Sequence, residues 1–390
     1  MTDSQALPSI SSSNFLYSSN AFEVELNVIE IKYNPKFGLV CLNFNPKYQN
    51  NKDVLVKMNF LDPSKHFNEV IYELQQHCKQ IFNDKSKIIS ALTFKDLELV
   101  NLIKEKTNTF RNSIMNFSHS SFEVREMINS LESCEIAIEF TDVLVVRHIL
   151  EHTADPFSVL RNFYNALPNS GILIIEVPDC EEVYNGRFFK HFWEEHLQYF
   201  SKEILANMVS AAGFKINTST ILNTEAEDVI LIVATKIEIP TSLEPRAIKN
   251  PIQLIQTEMK NIKSFFELLE HHNISVGMIG ATHSNINMID LFAIIPSNYT
   301  FFEAKFDRVG QYATKYLIKV FGFEKPIDHK IDIFISSISI ERQLLFYKDF
   351  YRRNNINKVF SIEEILTRLE SIDLHLLNRH QLLELFHSDN

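Results

Sequence analysis

The sequence is poor in glycine. It has 8 glycines in 390 residues, where an average usage of about 7% would give about 27. Only Gly38 precedes Gly171. A site that needs the backbone to approach a ligand closely, as glycine permits, would have to be built without glycine in most of the first half of the chain.

Cysteine is also scarce. The four cysteines, Cys41, Cys78, Cys134 and Cys180, lie far apart in the sequence. None belongs to a closely spaced pair of the kind that binds zinc, and a disulfide framework is not typical of a chain of this size. We therefore expect neither a disulfide scaffold nor a cysteine zinc site.

Long apolar runs and excess positive charge are absent too. The longest apolar segments, such as Val229–Ala234, are strand-sized and far shorter than the ~18 residues that a membrane span needs. A net charge of -11 and a pI near 5.7 argue against nucleic-acid binding. The first residues lack a charged segment followed by an apolar one, so we expect a cytoplasmic protein with no membrane partner.

Strand and helix patterns alternate over residues 84–240. Apolar runs at Asp142–Val146, Gly171–Val177 and Asp228–Thr235 predict buried strands. Asp155, followed by proline, and Ser201 are typical residues at helix starts. This alternation predicts an α/β core with helices packed on a sheet.

The flanking parts differ in pattern. Residues 1–83 combine strand patterns with a helix predicted at His66–Phe82, which indicates a small α+β section. Residues 241–390 begin with a long helix predicted at Pro251–Asn273 and then alternate strands and helices again. The sequence therefore predicts three parts, 1–83, 84–240 and 241–390, of which the last is a second α/β domain.

One short stretch suggests a metal site. Residues 145–156 read VVRHILEHTADP, in which His148, Glu151 and His152 fit H-x-x-E-H, the motif of inverted zinc peptidases. Peptidase ligands need a helix interior, so that both histidines share one face. Here a predicted strand precedes the motif and a helix starts at Asp155, so the motif is expected on a loop with at most one helical turn. No nearby residue offers a clear third ligand, and we expect no zinc.

The surroundings of this stretch resemble the class I S-adenosylmethionine-dependent methyltransferases and, more narrowly, the sugar C-methyltransferase family. The similar segments are RHILEHTADP at Arg147–Pro156, EVPD at Glu176–Asp179 and EHLQYFS at Glu195–Ser201. Val276–Ala281 and Phe334–Gln343 resemble parts of that family's C-terminal domain. The resemblance covers nearly the whole chain. It implies a zinc-binding N-terminal section, a Rossmann-like methyltransferase core and a C-terminal Rossmann-like domain.

The resemblance also implies roles for single residues. Glu195 and His196 match the family's catalytic pair, in which the histidine removes a proton next to a ketone and the resulting enolate attacks the methyl group. A histidine with a pKa near neutrality suits such a base, and a carboxylate beside it can hold its tautomer. The implied cofactor-binding residues are Asp142, Arg147 and His148, and the implied substrate-binding residues are His152, Glu176 and Tyr199.

Three departures from the family pattern concern its binding sites. Tyr33–Gly38 stands where a zinc-binding C-x-x-C-G turn is expected. Lys87–Glu98 contains no glycine where the family has a glycine-rich cofactor loop, and we expect Leu92 and Phe94 to fill that space. Thr109–Phe117 offers no acid for the cofactor's ribose.

These losses favour a pseudo-methyltransferase without a cofactor or zinc, acting as a structural or regulatory subunit. Its expected partner is another protein, such as an active methyltransferase, or a second copy of the chain. The first alternative is an active S-adenosylmethionine-dependent C-methyltransferase acting on a nucleotide-linked keto-sugar or a similar small molecule. The second is a protein that binds a small sugar ligand through Glu195, His196, His148 and Tyr199. The sequence leaves open whether the chain is an enzyme.

Overall fold

A computed structural model gives the fold. It describes residues 4–7, 29–44, 63–78, 87–93, 96–107, 111–114, 131–132, 141–224, 227–238, 249–303, 308–324, 330–336, 348–354, 356, 359–361, 364–365, 367 and 377–387. The chain divides into two compact units. The first comprises residues 1–3, 32–181 and 195–250, and the second comprises residues 4–31, 182–194 and 251–390.

The strands and helices follow one another as the alternating patterns predict. The strands are β1 (Ser4–Ala6), β2 (Ile29–Asn34), β3 (Leu39–Phe44), β4 (Ile88–Ala91), β5 (Arg111–Ile114), β6 (Val143–Arg147), β7 (Ile172–Pro178), β8 (Gln198–Tyr199), β9 (Phe214–Asn223), β10 (Asp228–Lys236), β11 (Val276–Ile279), β12 (Tyr299–Glu303), β13 (Tyr312–Ala313), β14 (Ile318–Gly322), β15 (Ile333–Ser336) and β16 (Phe360–Ser361). The helices are α1 (Pro63–His77), α2 (Leu97–Thr107), α3 (Pro156–Ala166), α4 (Phe188–His191), α5 (Lys202–Ala211), α6 (Ile252–His271), α7 (His283–Phe292) and α8 (Arg379–His387).

A six-stranded sheet forms the centre of the first unit, in the order β5-β4-β6-β7-β10-β9. The pairs β5–β4, β4–β6 and β6–β7 are parallel, whereas β10 runs antiparallel to both β7 and β9. The carboxyl ends of β4, β6 and β7 therefore meet at one edge. In open α/β sheets, ligands bind outside this edge.

Helices bury this sheet. Every residue of β6 and β7 is buried, which indicates that both faces of the central strands are covered. On one face Phe67 of α1 and Leu99 of α2 share an apolar cluster with Val145 and Ile174. The α3 helix packs against α5, and α5 also contacts β9 and β10. Among the described residues, no helix is long and apolar enough to cross a membrane.

The predicted helix starts of this unit are confirmed. The Asp155 carboxylate accepts a hydrogen bond from the Ser158 N–H at the start of α3, and the Ser201 hydroxyl accepts one from the Ile204 N–H at the start of α5. Such caps satisfy N–H groups that lack a partner within the helix.

The turn between β2 and β3 lies within Tyr33–Gly38, where the family resemblance led us to expect a zinc-binding turn. Gly38 ends the turn with a φ of 71°, a conformation that glycine adopts at little cost. The Phe37 ring packs on Phe157 with centroids 5.0 Å apart, and the Lys36 ammonium lies over both rings. Apolar and cation–π contacts therefore hold a turn that has no cysteine.

The second unit contains its own six-stranded sheet, in the order β13-β14-β12-β11-β15-β16. β11 pairs in parallel with β12 and β15. Gly277 lies where a Cβ would come within 2.5 Å of the Phe334 ring, and Gly280 turns the chain toward α7 with a φ of 86°. The two glycines thus serve strand packing and a tight turn.

A buried carboxylate lies in the middle of α6. Glu258 is 4% exposed, and its Oε2 accepts the backbone N–H groups of Phe188 and Phe189 at 2.7 and 3.2 Å. Among the described residues, its Oε1 has no hydrogen-bond partner. Burial raises the pKa of this carboxyl from 4.5 to about 8, because charging it would cost solvation.

This raised pKa predicts a pH-dependent stability. Between pH 4.5 and about 8 the unfolded chain loses a proton that the folded chain keeps, so the free energy of unfolding falls as the pH rises. Over this range Glu258 should lower the free energy of unfolding of the wild type by on the order of 1 kcal/mol per pH unit, and Glu258→Gln should remove this contribution. Urea unfolding of both proteins at several pH values measures it. Parallel pH profiles for the two proteins would contradict the prediction.

Candidate functional site

The described residues of the turn after β4 are hydrogen-bonded to one another and to β6. Leu92 is fully buried, and its N–H donates to the Val145 carbonyl at 3.0 Å. The amide and the hydroxyl of Thr93 both donate to the Asp96 carboxylate, at 3.2 and 3.1 Å, and Asp96 returns its own N–H to the Thr93 carbonyl. The structure thus buries Leu92, while Phe94 lies outside the described residues. That these side chains fill the space of a cofactor loop stays a prediction.

A buried ion pair links the carboxyl ends of β6 and β7. Arg147 and Glu176 stand directly opposite each other in the two strands, and the Arg147 Nε donates to Glu176 Oε2 at 2.6 Å. His66 of α1 places its Nε2 3.1 Å from the same carboxylate oxygen. Burial alone would raise the pKa of Glu176, but Arg147 and His66 lower it to about 2. The carboxylate therefore stays charged inside the unit.

Arg147 and Glu176 were predicted to bind cofactor and substrate. Both side chains lie in the interior, 4% and 0% exposed, and the Arg147 guanidinium stacks over the Phe67 ring at 4.9 Å. Their binding roles stay predictions. His66 was not singled out in the sequence, because nothing there connects it with a residue 110 positions away.

His148 begins a strained turn after β6. Its φ is 51°, which is rare for a residue with a side chain and is often found at functional sites. Its N–H donates to the Glu176 carbonyl at 2.9 Å, so the β6–β7 pairing continues into the turn. The residues that follow, Leu150–His152, form a short 3-10 turn. The prediction that the HILEH motif lies on a loop with at most one helical turn is confirmed.

This turn brings three titratable side chains together. The Nδ1 of His148 lies 3.3 Å from Glu151 Oε1, and the Nε2 of His152 lies 3.9 Å from the same oxygen. Burial lowers the pKa of His148. For Glu151 burial would raise the pKa, but His148 and His152 hold it below its ordinary value. A neutral imidazole thus lies beside a charged carboxylate.

The predicted catalytic pair reaches the same place from a distant part of the chain. The backbone carbonyl of Glu195 lies 2.9 Å from His152 Nδ1. A carbonyl oxygen only accepts hydrogen bonds, so Nδ1 carries a hydrogen. The His152 and His196 rings meet edge to face, with centroids 5.0 Å apart. Four of the eight predicted site residues, His148, His152, Glu195 and His196, therefore belong to one cluster.

The remaining two predicted residues are placed differently. Asp142 lies at the amino end of β6, where its carboxylate accepts the Ile88 N–H at 2.8 Å, about 17 Å of strand away from Arg147. Tyr199 is fully buried in β8, opposite Val40 of β3. Asp142 thus fixes the start of two strands and is not brought near the other site residues.

The cluster could serve as a base or bind a metal ion. Imidazoles beside carboxylates can accept and deliver protons near neutral pH. The same groups are common metal ligands. The turn after β4 has no glycine, so it lacks the residue type that lets a ligand approach the backbone closely.

The buried ion pair should be needed for stability. Glu176→Gln leaves the Arg147 guanidinium buried without its counter-charge, and we expect a loss of about 3–5 kcal/mol in the free energy of unfolding. Urea denaturation measures this loss. Glu73→Gln removes a half-exposed partner of His77 in the same unit and should cost less than about 1 kcal/mol. Equal losses in the two variants would show that the buried pair contributes little.

Comparison with known proteins identifies the type of domain. Residues 27–219 match the model of a methyltransferase domain family. No curated protein gives a significant sequence match.

Several solved structures are similar at low identity. The 4+2 cyclase SpnF is 10% identical, over 44% of this chain and 80% of its own, with a TM-score of 0.33. The N-methyltransferase NodS from Bradyrhizobium japonicum WM9, solved with S-adenosyl-L-homocysteine, is 10% identical over 49% of this chain and 95% of its own, with a TM-score of 0.33. Human N-acetylserotonin methyltransferase is 13% identical over 44% of this chain and 54% of its own, with a TM-score of 0.31. The family match and the observed sheet together give the conclusion that the chain carries a Rossmann-like, methyltransferase-like α/β domain.

Proposed function

We propose that this chain is a pseudo-methyltransferase of the sugar C-methyltransferase type that does not bind S-adenosylmethionine. It would act as a structural or regulatory subunit of a biosynthetic enzyme complex. The observation that carries the proposal is the turn after β4, which has no glycine and whose polar groups bind one another.

The backbone N–H groups of Leu92 and Thr93 in this turn already have partners within the protein, so they do not need a ligand. In a functional cofactor loop, glycines let the backbone approach the nucleoside, and the free N–H groups of the loop contact it. Here Leu92 fills the end of the strand, its N–H is bound to Val145, and the Thr93 N–H is bound to Asp96. A cofactor would have to break these hydrogen bonds and displace a buried leucine.

The ion pair at the neighbouring strand ends supports the same proposal. Arg147 and Glu176, which the family resemblance assigns to ligands, are paired with each other beneath α1. Withdrawing either one toward a ligand would leave the other charge buried and uncompensated. Their arrangement stabilises the domain without a ligand.

The cofactor proposal has a direct test. Isothermal titration calorimetry of the purified chain with S-adenosylmethionine and with S-adenosylhomocysteine should give no binding heat up to millimolar ligand. The same preparation should show no ligand-dependent shift in its thermal unfolding midpoint, because only a ligand that binds the native state stabilises it. An active class I methyltransferase titrated in parallel serves as the positive control. Micromolar binding of either ligand would overturn the proposal.

The cluster around His196 favours a second candidate, an active C-methyltransferase acting on a nucleotide-linked keto-sugar. In this candidate His196 would take the proton next to the ketone, and S-adenosylmethionine, when bound, would supply the methyl group for the resulting carbon nucleophile. Its support is that His196 lies against His152, which is hydrogen-bonded to the Glu195 backbone.

This candidate makes its own prediction. The wild-type chain would transfer a labelled methyl group to at least one member of a keto-sugar nucleotide panel, and His196→Ala would lower that rate by about 100-fold or more while leaving the unfolding midpoint nearly unchanged. Mass spectrometry of the sugar products measures the transfer. A wild-type chain that methylates none of the panel removes the support for an enzyme.

A further inference from the structure

Three side chains that the sequence separates lie close enough to share one ion. Glu151, His152 and His196 each offer one ligand atom, and these atoms lie within 4.8 Å of one another. Glu151 and His152 come from the 3-10 turn after β6, and His196 comes from the segment just before β8. All three belong to the first unit.

The Glu151 carboxylate is the unusual member of this group. It is 1% exposed, and its Oε2 has no hydrogen-bond partner among the residues that the structure describes. A buried carboxylate oxygen without a hydrogen bond costs free energy, and a bound ion is one of the few groups that can compensate it. Two ring nitrogens of the same turn lie near this carboxylate, His148 Nδ1 at 3.3 Å and His152 Nε2 at 3.9 Å from its Oε1.

The His152 ring is already in the state that a metal ligand requires. Its Nδ1 hydrogen faces the Glu195 backbone carbonyl at 2.9 Å, so in the neutral ring the lone pair is on Nε2, which lies 3.9 Å from Glu151 Oε1. Metal-binding histidines almost always donate their other ring N–H to a carbonyl or a carboxylate, which fixes both the tautomer and the ring orientation.

We propose that Glu151, His152 and His196 bind one divalent transition-metal ion of the zinc type. Two imidazole nitrogens and one carboxylate oxygen are a ligand set found in zinc and in non-haem iron sites, where at least one coordination position stays open. The HILEH stretch thus contributes two ligands, but through a 3-10 turn and a partner 44 residues away instead of through one helix. His148 is not a ligand; it lies beside the Glu151 carboxylate.

The geometry needs a small adjustment on binding. Tetrahedral zinc with bonds of about 2.1 Å places its ligand atoms about 3.4 Å apart. The atoms of the cluster, at up to 4.8 Å, would therefore close by up to about 1.4 Å. Rotation of the three side chains can supply this movement.

Metal titration tests the proposal. The chelator-treated chain is titrated with zinc against a chromophoric chelator, in the absence of S-adenosylmethionine. We expect one site of micromolar or tighter dissociation constant, and at least tenfold weaker binding in Glu151→Gln, His152→Asn and His196→Asn. The His77→Asn variant is the matched control, because His77 is a half-exposed histidine that also lies beside a glutamate. Its affinity should equal that of the wild type.

The folding of each variant is monitored by far-ultraviolet circular dichroism and thermal unfolding. Zinc should raise the unfolding midpoint of the wild type and of His77→Asn but not that of Glu151→Gln, because only native-state binding stabilises the fold. Absence of a saturable site, or wild-type affinity in a folded Glu151→Gln or His196→Asn protein, would overturn the proposal. The proposed metal site does not depend on the proposed function. The zinc titration contains no S-adenosylmethionine and the cofactor titration contains no zinc, so each proposal can fail without the other.

Discussion

The buried ion pair between Arg147 and Glu176 organises the carboxyl edge of the first sheet. The two residues face each other across the last step of the β6–β7 ladder, and the charge of each is balanced inside the domain. The Glu176 backbone carbonyl also accepts the His148 N–H. This hydrogen bond fixes the direction in which the chain leaves β6 and holds the 3-10 turn that follows. It requires His148 to adopt a left-handed backbone conformation.

Whether this edge of the sheet can bind a ligand depends on which of its polar groups already have partners within the protein. In an open α/β site, the strand ends leave backbone N–H groups and charges for a ligand. Here the turn after β4 binds its own polar groups, and the ends of β6 and β7 bind each other and His66. In the cluster of Glu151, His152 and His196, which follows β6 in the chain, the buried Glu151 carboxylate keeps an oxygen without a hydrogen bond among the described residues.

Much of the fold could be predicted from local patterns. The mostly apolar strands β6, β7 and β10 could be placed within one or two residues. β9 was missed because it is an edge strand whose residues are mostly half-exposed, so it carries many polar side chains and a weak apolar pattern. The division into three parts stays a prediction; the structure separates two units whose chain segments interleave.

The site was harder to predict, because long-range pairing decides it. The resemblance pointed to His148, His152, Glu195 and His196, which do lie together. It could not indicate that Arg147 turns inward to Glu176, since that depends on strand register and on His66 of a distant helix. Nor could the sequence bring His196 to Glu151 as a third ligand. Such contacts arise only once the sheet has assembled.

The proposed loss of cofactor binding requires the edge of this sheet to be closed beyond the end of β4. The most direct measurement is a crystal structure of the chain grown with saturating S-adenosylhomocysteine. We expect no ordered nucleoside beyond the end of β4, with Leu92 buried and Thr93 hydrogen-bonded to Asp96. An adenosyl group ordered over that turn, with Leu92 displaced, would contradict it.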